Sequence, residues 1–362
     1  MPPNPSPDLP SHSSCRPALK PGLRRLWRDP HTVQFGTDPD TAVVVPDVDD
    51  TVAAFLLGLD GHQTRSQVVA SSGLPPETAE VLLDRLLDHG VLDDAAAVST
   101  PFGRSLRARR ERLRPELTSL VVSHRHPGDG SRAFVRRRRT WLRIEGLGRL
   151  GTALAVLLHA AGLERLDLLD PAPVRDVDVL AGGHRACDIG QPRDRVLRER
   201  LTDHPSIGSP RPASRRPALV VLAGVSDLPQ LRRRAQSLVN TGQSHLVVDV
   251  VEGVGRLGPF VVPGETSCIT CVDHHRTDRD PAWPRLMAQL SGPTDDEAPA
   301  IAVAATAAWA AWHITSWVDG GRPPSLDAEL TLRPPDGRAS QHLYPRHPSC
   351  GCSWRQQAQS PV

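Results

Sequence analysis

Residues 142–170 limit the fold of this chain more than any other stretch. They read Leu142-Arg-Ile-Glu-Gly146-Leu-Gly148-Arg-Leu-Gly151, an Ala/Leu run to Gly162, then Leu166-Asp-Leu-Leu-Asp170. The pattern predicts a short strand, a Gly-x-Gly-x-x-Gly turn, a helix, a glycine that ends it, and a second strand closed by an acid. Gly146 permits the tight turn, Gly148 lets a phosphate approach the backbone, and Gly151 lets helix and sheet pack closely. Free N–H groups and the helix dipole then face that phosphate. Asp170, about 20 residues on, sits where an acid commonly bonds a ribose hydroxyl. The competing reading is a packed βαβ unit that binds no nucleotide.

At 362 residues the chain exceeds one average domain, so two or three units are expected. A net charge of +2 gives no strong electrostatic reason to expect nucleic acid. The N-terminus carries neither a basic n-region nor an apolar h-region, which argues for a cytoplasmic protein. The long apolar run Ala298–Val318 contains Thr306, His313, Thr315 and Ser316 and reads as a buried core helix, not a membrane span. In that setting six cysteines suggest metal or redox chemistry before structural disulfides.

Residues 1–17 are Pro/Ser-rich and read as a disordered tail. Residues 18–97 form a first domain. Thr32-Val-Gln-Phe and Ala42-Val-Val-Val predict a hairpin, and three helices follow over 52–59, 64–71 and 75–90, with Val91-Leu92 as a short strand. A hairpin with three helices reads as a winged helix. Its third helix offers one base, Arg85, against Glu77, Glu80, Asp84 and Asp88, which disfavours a DNA-binding regulator. A surface where an extended peptide adds a strand to the hairpin edge suits it better. The alternative is a small domain that binds nothing. Residues 98–139 read as a connector. Its basic runs, 104–114 and 136–139, are expected to be solvated faces, with phosphate or nucleic-acid contact as the alternative. His126–Gly130 reads as a turn.

Residues 140–354 alternate strands and helices: Arg193–Leu201 a helix, Ala218–Ala223 a buried strand, Leu228–Val239 a helix, His245–Val251 a buried strand. Gly253–Gly258 reads as a turn and Pro259–Pro263 as a strand leading to a loop. Ala300–Trp317 is a long helix, and Leu326–Leu332 with Gln341–Tyr344 a closing hairpin. The predicted class is α/β: a Rossmann-like doubly wound sheet with an N-terminal winged-helix domain and a C-terminal zinc-knuckle hairpin. Residues 355–362 are a tail.

Cys268-Ile-Thr-Cys271 and Cys350-Gly-Cys352 supply two close pairs of thiols. Four thiolates suit a closed, structural zinc site; a redox role or no metal are the alternatives. Cys15 and Cys187, unpaired by spacing, read as inert thiols. Asp273-His274-His275 reads as a polar loop or interaction surface, with a second metal site as the alternative.

These residues together resemble the ThiF/MoeB/ubiquitin-activating superfamily: Gly146-x-Gly148-x-x-Gly151, Asp170, the crossover ending Asp188-Ile-Gly190-Gln-Pro-Arg193, and the cysteine pairs. Within it, Gly258-Pro-Phe-Val-Val-Pro-Gly-Glu-Thr-Ser-Cys-Ile-Thr-Cys and His347-Pro-Ser-Cys-Gly-Cys look like the ThiF-like proteins of azole-peptide (cyclodehydratase) biosynthesis. The front end of those proteins, similar to PqqD, is a leader-peptide recognition element. The resemblance implies ATP at the glycine loop, adenylation of a peptide or protein C-terminus, a structural zinc, and a precursor peptide or small protein as partner. It also implies a YcaO-type partner enzyme and a homodimer, with no membrane.

Several charges of the active pattern differ. Arg149 stands where a further glycine is usual. Asp178-Val-Leu-Ala181 lies near the register of an Asn-x-x-Arg that grips the triphosphate, so that arginine is missing and Arg185 replaces it only by shifting. Arg193 stands where a lysine contacts phosphate. The magnesium acid is replaced near Ala223–Ser226, with Asp227 displaced. Magnesium and phosphate electrostatics supply most of the rate in such chemistry. The leading expectation is therefore a peptide-binding scaffold with a degenerate ATP site. A working adenylyltransferase, using Asp227 or Arg185, and an NAD-dependent oxidoreductase are the alternatives.

Overall fold

The computed structural model describes residues 15–99, 107–202, 216–224, 227–290 and 298–353. Most of the expected N-terminal tail, the C-terminal tail, residues 104–106 of the first basic run, and Val225-Ser226 lie outside the described residues. The chain divides into two compact units, Met1–Arg136 and Arg137–Val362.

The first unit begins with β1 (Pro17–Leu19), β2 (Arg25–Asp29), β3 (Thr32–Phe35) and β4 (Val43–Val45). Helices α1 (Asp50–Leu57), α2 (Arg65–Ser71) and α3 (Pro76–Asp88) follow, then β5 (Leu92–Asp94) and α4 (Ala95–Ser99). The expected hairpin is β3–β4, and it gains β2 as a third strand in the order β2-β3-β4; β1 pairs with β5. The charges of Arg25-Leu-Trp-Arg-Asp mask β2, because its side chains remain mostly exposed. Val33, Phe35, Phe55, Leu56, Leu83 and Leu86 form the core. Thr64 begins α2 with the Gln67 side chain returning to its N–H, a capping-box contact that fixes where the helix starts.

Residues 107–139 of the expected connector are helical. They form α5 (Arg107–Ser123) and α6 (Asp129–Arg139), whose Leu113, Leu117, Leu120, Val121, Ala133 and Phe134 build a core of their own. The spacing 113, 117, 120, 121 is one helical face, hidden among arginines. Gly130 makes the crossing close: a Cβ there would meet Val121 Cα at 2.6 Å.

The second unit holds β6 (Trp141–Glu145), α7 (Arg149–Ala160), β7 (Arg165–Leu169), α8 (Arg193–Thr202), β8 (Leu219–Ala223), α9 (Leu228–Asn240), β9 (His245–Val251) and β10 (Val254–Val261). Then come α10 (Ile269–Arg279), α11 (Trp283–Gln289), α12 (Ala300–Val318), β11 (Ala328–Arg333) and β12 (Arg338–Leu343). One seven-stranded sheet has the order β12-β11-β10-β9-β8-β6-β7. β7, β6, β8 and β9 run parallel, and β9 to β12 run antiparallel, so the sheet is mixed and only its first half is wound in the parallel manner. Leu142, Ile144, Leu219 and Val221 face α7, α8 and α12 on one side, while Val220, Leu222 and Val247 face α9 on the other. The chain steps from β6 outward to β7 and then back to β8, so strand order reverses between β6 and β8. Ligand crevices of open α/β sheets lie at that point.

Three expectations need correction. Residues 254–258 belong to β10, and the turn is Glu252-Gly253 alone; Gly255 pairs with Val250 and Leu332 in the sheet, and a Cβ there would strike Thr306 Oγ1 of α12 at 2.0 Å. The Arg136–Arg139 run is not simply a solvated face: Arg137 is buried and bonds Asp319 at 2.6 and 2.9 Å, and Arg138 lies 3.6 Å from Glu164. Asp273-His274-His275 lies inside α10, not in a loop. Helix α12 is long and apolar enough to cross a membrane, and it buries Val303, Ala307, Ala310, Ile314 and Val318 in the sheet core.

Candidate functional site: a glycine cradle and a four-cysteine cluster

The glycine turn leaves β6 at the strand-order reversal. A Cβ on Gly146 would sit 2.1 Å from Ala223 O at the end of β8, and one on Gly151 would sit 1.9 Å from Gly146 O. Gly146 has φ of +91°, which side chains rarely adopt. Both glycines therefore serve close backbone packing. Gly148 differs, because the first atom a Cβ would meet is Asp178 Oδ1 at 3.7 Å. Gly148 is the N-cap of α7 and brings no side chain to its free N–H groups, the geometry that receives an anion.

The groups around this cradle satisfy one another. Asp170 Oδ2 accepts from Leu147 N at 2.8 Å and from Arg193 Nη1 at 3.1 Å, and its Oδ1 accepts from Ala172 N at 3.1 Å. Arg193, the residue expected to contact phosphate, donates to Asp178 Oδ2 at 2.6 and 2.9 Å. Burial opposes its charge, but Asp178 and Asp170 more than offset this and hold the guanidinium above its ordinary pKa. The Asp178 side chain is fully buried. Its Oδ1 has no hydrogen-bond donor among the described residues, with Arg175 Nη2 at 3.8 Å. A carboxylate oxygen thus faces the space beside Gly148.

The structure also places the other charges considered for the site. Arg185 pairs with Asp188 at 3.3 Å. Asp227 caps α9, accepting from Gln230 N at 2.9 Å. Arg149 Nη1 donates to Ala298 O at 2.7 Å. Two residues here have no obvious sequence signal. Asp178 is legible only as one acid of a loop rich in them. His184, 1% exposed, brings Nε2 to Leu147 O at 2.8 Å and to Thr152 Oγ1 at 2.9 Å, so it braces the glycine turn from below the crossover.

The four cysteines do meet. Cys268 and Cys271 open α10, and Cys350 and Cys352 follow β12. Sulfur separations are 3.9 Å for Cys268–Cys271, 3.6 Å for Cys268–Cys350 and 3.4 Å for Cys271–Cys352. A tetrahedral zinc with Zn–S near 2.3 Å has S···S edges of about 3.8 Å. All four are buried, against Val239 and Val261. Burial pushes the Cys350 thiol up to about 12, so four such sulfurs become thiolates together only beside a compensating cation. The donor set fits zinc, with Cys268, Cys271, Cys350 and Cys352 as its holders and no open position for substrate. Bound there, zinc would be structural: it would join the start of α10 to the segment after β12.

Next to this cluster, His347 Nε2 lies 2.8 Å from Asp278 Oδ2, and His347 Nδ1 accepts from Ser349 N at 3.1 Å. His275 Nε2 bonds Pro345 O at 2.8 Å. Donor atoms of His275, Asp278 and His347 lie within 4.8 Å of one another, but these bonds make them braces of the knuckle. Asp273 is held by Arg232 at 2.6 and 2.7 Å. In the first unit, β2 and β4 each pair with β3 alone, so both outer edges of that sheet are open among the described residues, and Val44 on β4 is exposed.

No family model and no curated protein sequence matches the chain. Solved structures do. MccB of E. coli, solved with succinimide, superposes with a TM-score of 0.71 at 13% identity, covering 93% of this chain and 99% of its own. This chain has the MccB fold. The microcin C7 biosynthetic enzyme MccB in complex with N-formylated MccA matches with a TM-score of 0.70, again at 13% identity over 93% of this chain and 99% of its own. PaaA matches at 0.65 with 16% identity over 90% of this chain and 99% of its own. MccB has also been solved with ATP, and with AMPCPP and MccA together.

Proposed function

We propose that this protein binds a precursor peptide or small protein and presents it for modification, on an MccB-type scaffold whose nucleotide cradle is closed by its own side chains. The observation that carries the reading is the bond between Arg193 and Asp178 beneath the glycine turn. The cation expected to meet a triphosphate is neutralised, and a carboxylate takes the place beside Gly148 where negative phosphate oxygens belong. Like charge at that distance opposes ATP binding.

The peptide would dock on the first unit, where the β2-β3-β4 sheet and helices α1 to α3 would serve as a winged-helix-type recognition domain. An extended segment added to the open edge of β4 gains backbone hydrogen bonds, and side-chain pockets set its register. A YcaO-type enzyme would then act on the delivered peptide. Isothermal titration of candidate precursor peptides against the full chain tests this. Val44→Asp should weaken binding with the fold intact. Full affinity in that variant, and in a chain lacking residues 1–95, would overturn the docking site.

A second reading, an active adenylyltransferase of the peptide C-terminus, draws support from the ATP and AMPCPP complexes of MccB. It requires Arg193 to leave Asp178 when nucleotide enters. Pyrophosphate release that depends on both ATP and peptide would favour it.

A further inference from the structure

A recess of about 310 Å³ lies on the face of the sheet away from α12. Leu257, Ala328 and Leu330 face the core, so their strand neighbours Arg256, Glu329, Thr331 and Arg333 point to the opposite side. His342 of β12 stands across from Glu329. Arg276, Arg279 and Asp280 close the recess from α10, and Trp283 and Tyr344 wall it.

One of the four arginines is a fixture of the wall. Arg276 Nη2 reaches both Glu329 oxygens, at 2.6 and 2.8 Å, and its guanidinium lies 4.8 Å from the Trp283 ring centre. This pair removes the charge of Glu329. Arg256, Arg279 and Arg333 are different: none has an ion-pair or hydrogen-bond partner for its guanidinium among the described residues, and all three line the same concavity. Asp280 is the remaining carboxylate of the lining, and it caps the turn into α11 through Ala282 N at 2.9 Å. Arg256 is half-buried, and Arg279 and Arg333 are exposed at the rim. Other half-buried arginines of this unit do pair, as Arg143 with Asp167, Arg232 with Asp273 and Arg234 with Glu145. Converging like charges raise the energy of a fold unless a counter-charge enters between them.

We propose that this recess is a binding site for a multiply charged oxyanion, with Arg256 and Arg333 as its principal ligands and Arg279 at its mouth. Guanidinium forks match carboxylate and phosphate oxygens alike, so the shared chemistry is the oxyanion. Its source is either a phosphate compound or the acidic side chains of a bound peptide. The site stands on observations separate from the glycine cradle and does not depend on how that cradle is used.

The test is calorimetric titration of the full-length, zinc-loaded protein with two probes, pyrophosphate and a hexaglutamate peptide, at two salt concentrations. The expected result is saturable binding of at least one probe, weaker at the higher salt. Tighter pyrophosphate assigns a phosphate source, and tighter hexaglutamate assigns a peptide source. The double variant Arg256→Ala/Arg333→Ala should weaken that binding about 10-fold or more, the scale of lost charge-assisted contacts. A control with the same charge loss on another face, Arg165→Ala/Arg195→Ala, should leave it within about twofold. Retained zinc and an unchanged melting curve show that both variants fold. Binding of neither probe, an unchanged Arg256/Arg333 variant, or an equal loss in the control would each overturn the assignment.

Discussion

The Arg193 guanidinium lies 2.6 Å from the Asp178 carboxylate, and the two residues are 15 apart in sequence. The contact joins the first turn of α8 to the crossover loop, and the other Asp178 oxygen lies beside Gly148. It puts the charge beside Gly148 within reach of a single substitution. Asp178→Asn keeps an acceptor for Arg193 but removes the negative charge beside Gly148. ATP affinity should rise by about 10-fold, the equivalent of roughly 1.4 kcal/mol. Fluorescent-nucleotide titration of wild type and variant measures it. Equal affinity in the two would mean that the carboxylate does not guard the cradle.

The cysteine cluster makes a separate prediction. Purified protein should carry one zinc per chain, and Cys352→Ser should lose it, together with a clear drop in melting temperature, because a metal held by the four sulfurs would tie the segment after β12 to α10. Metal analysis by mass spectrometry with thermal melts tests both. His347→Gln breaks the contact with Asp278 but leaves the four sulfurs, so it should retain zinc and lose it faster to a chelator.

Lys20 tests whether residues 107–136 belong to the N-terminal unit. Its side chain is 1% exposed, and Nζ donates to His124 O at 2.5 Å and Arg125 O at 3.4 Å. Burial lowers its pKa, while Asp93 and Asp129 oppose that shift. Lys20→Met removes the donor and leaves those carbonyls unsatisfied, so it should cost about 1–3 kcal/mol in denaturant unfolding of the full chain. A neutral effect would show that the α5–α6 pair folds without this tie.

The glycine turn, the strand-end Asp170 and the cysteine pairs were legible because each depends on local rules: φ > 0, a helix N-terminus, two thiols within a turn. Longer-range facts were not. Nothing near Asp178 says that its partner is Arg193, because a salt bridge across a crossover depends on how the loop closes. The α5–α6 pair was obscured because its apolar face, Leu113 to Val121, is embedded in arginines that dominate the composition. The antiparallel half of the sheet could not be told from a parallel one, since buried strands such as Leu246–Val248 read the same in either direction. The recess residues Arg256 and Arg333 lie 77 positions apart and come together only through the β10–β11 pairing.

Two buried histidines set a pH dependence. His245 on β9 is fully buried; burial depresses its pKa from 6.5 to about 4, opposed by the bond from Nδ1 to Gln243 O. Burial does the same to His313 of α12, also to about 4, beside Ser325 and Trp309. The neutral form is favoured in the fold and the charged form in the unfolded chain. The unfolded state therefore binds more protons between pH 6.5 and 4, and stability falls as pH falls through that window. Above pH 6.5 both contributions are complete, and below about 4 they level off. Each histidine accounts for on the order of 3 kcal/mol across the window. His313→Gln keeps a polar partner for Ser325 and cannot titrate. The stability gap between wild type and this variant, measured by denaturant unfolding from pH 7.5 to 4, should therefore shift in favour of the variant as the pH drops. A gap that stays constant would show that His313 accepts its proton in the folded state without cost.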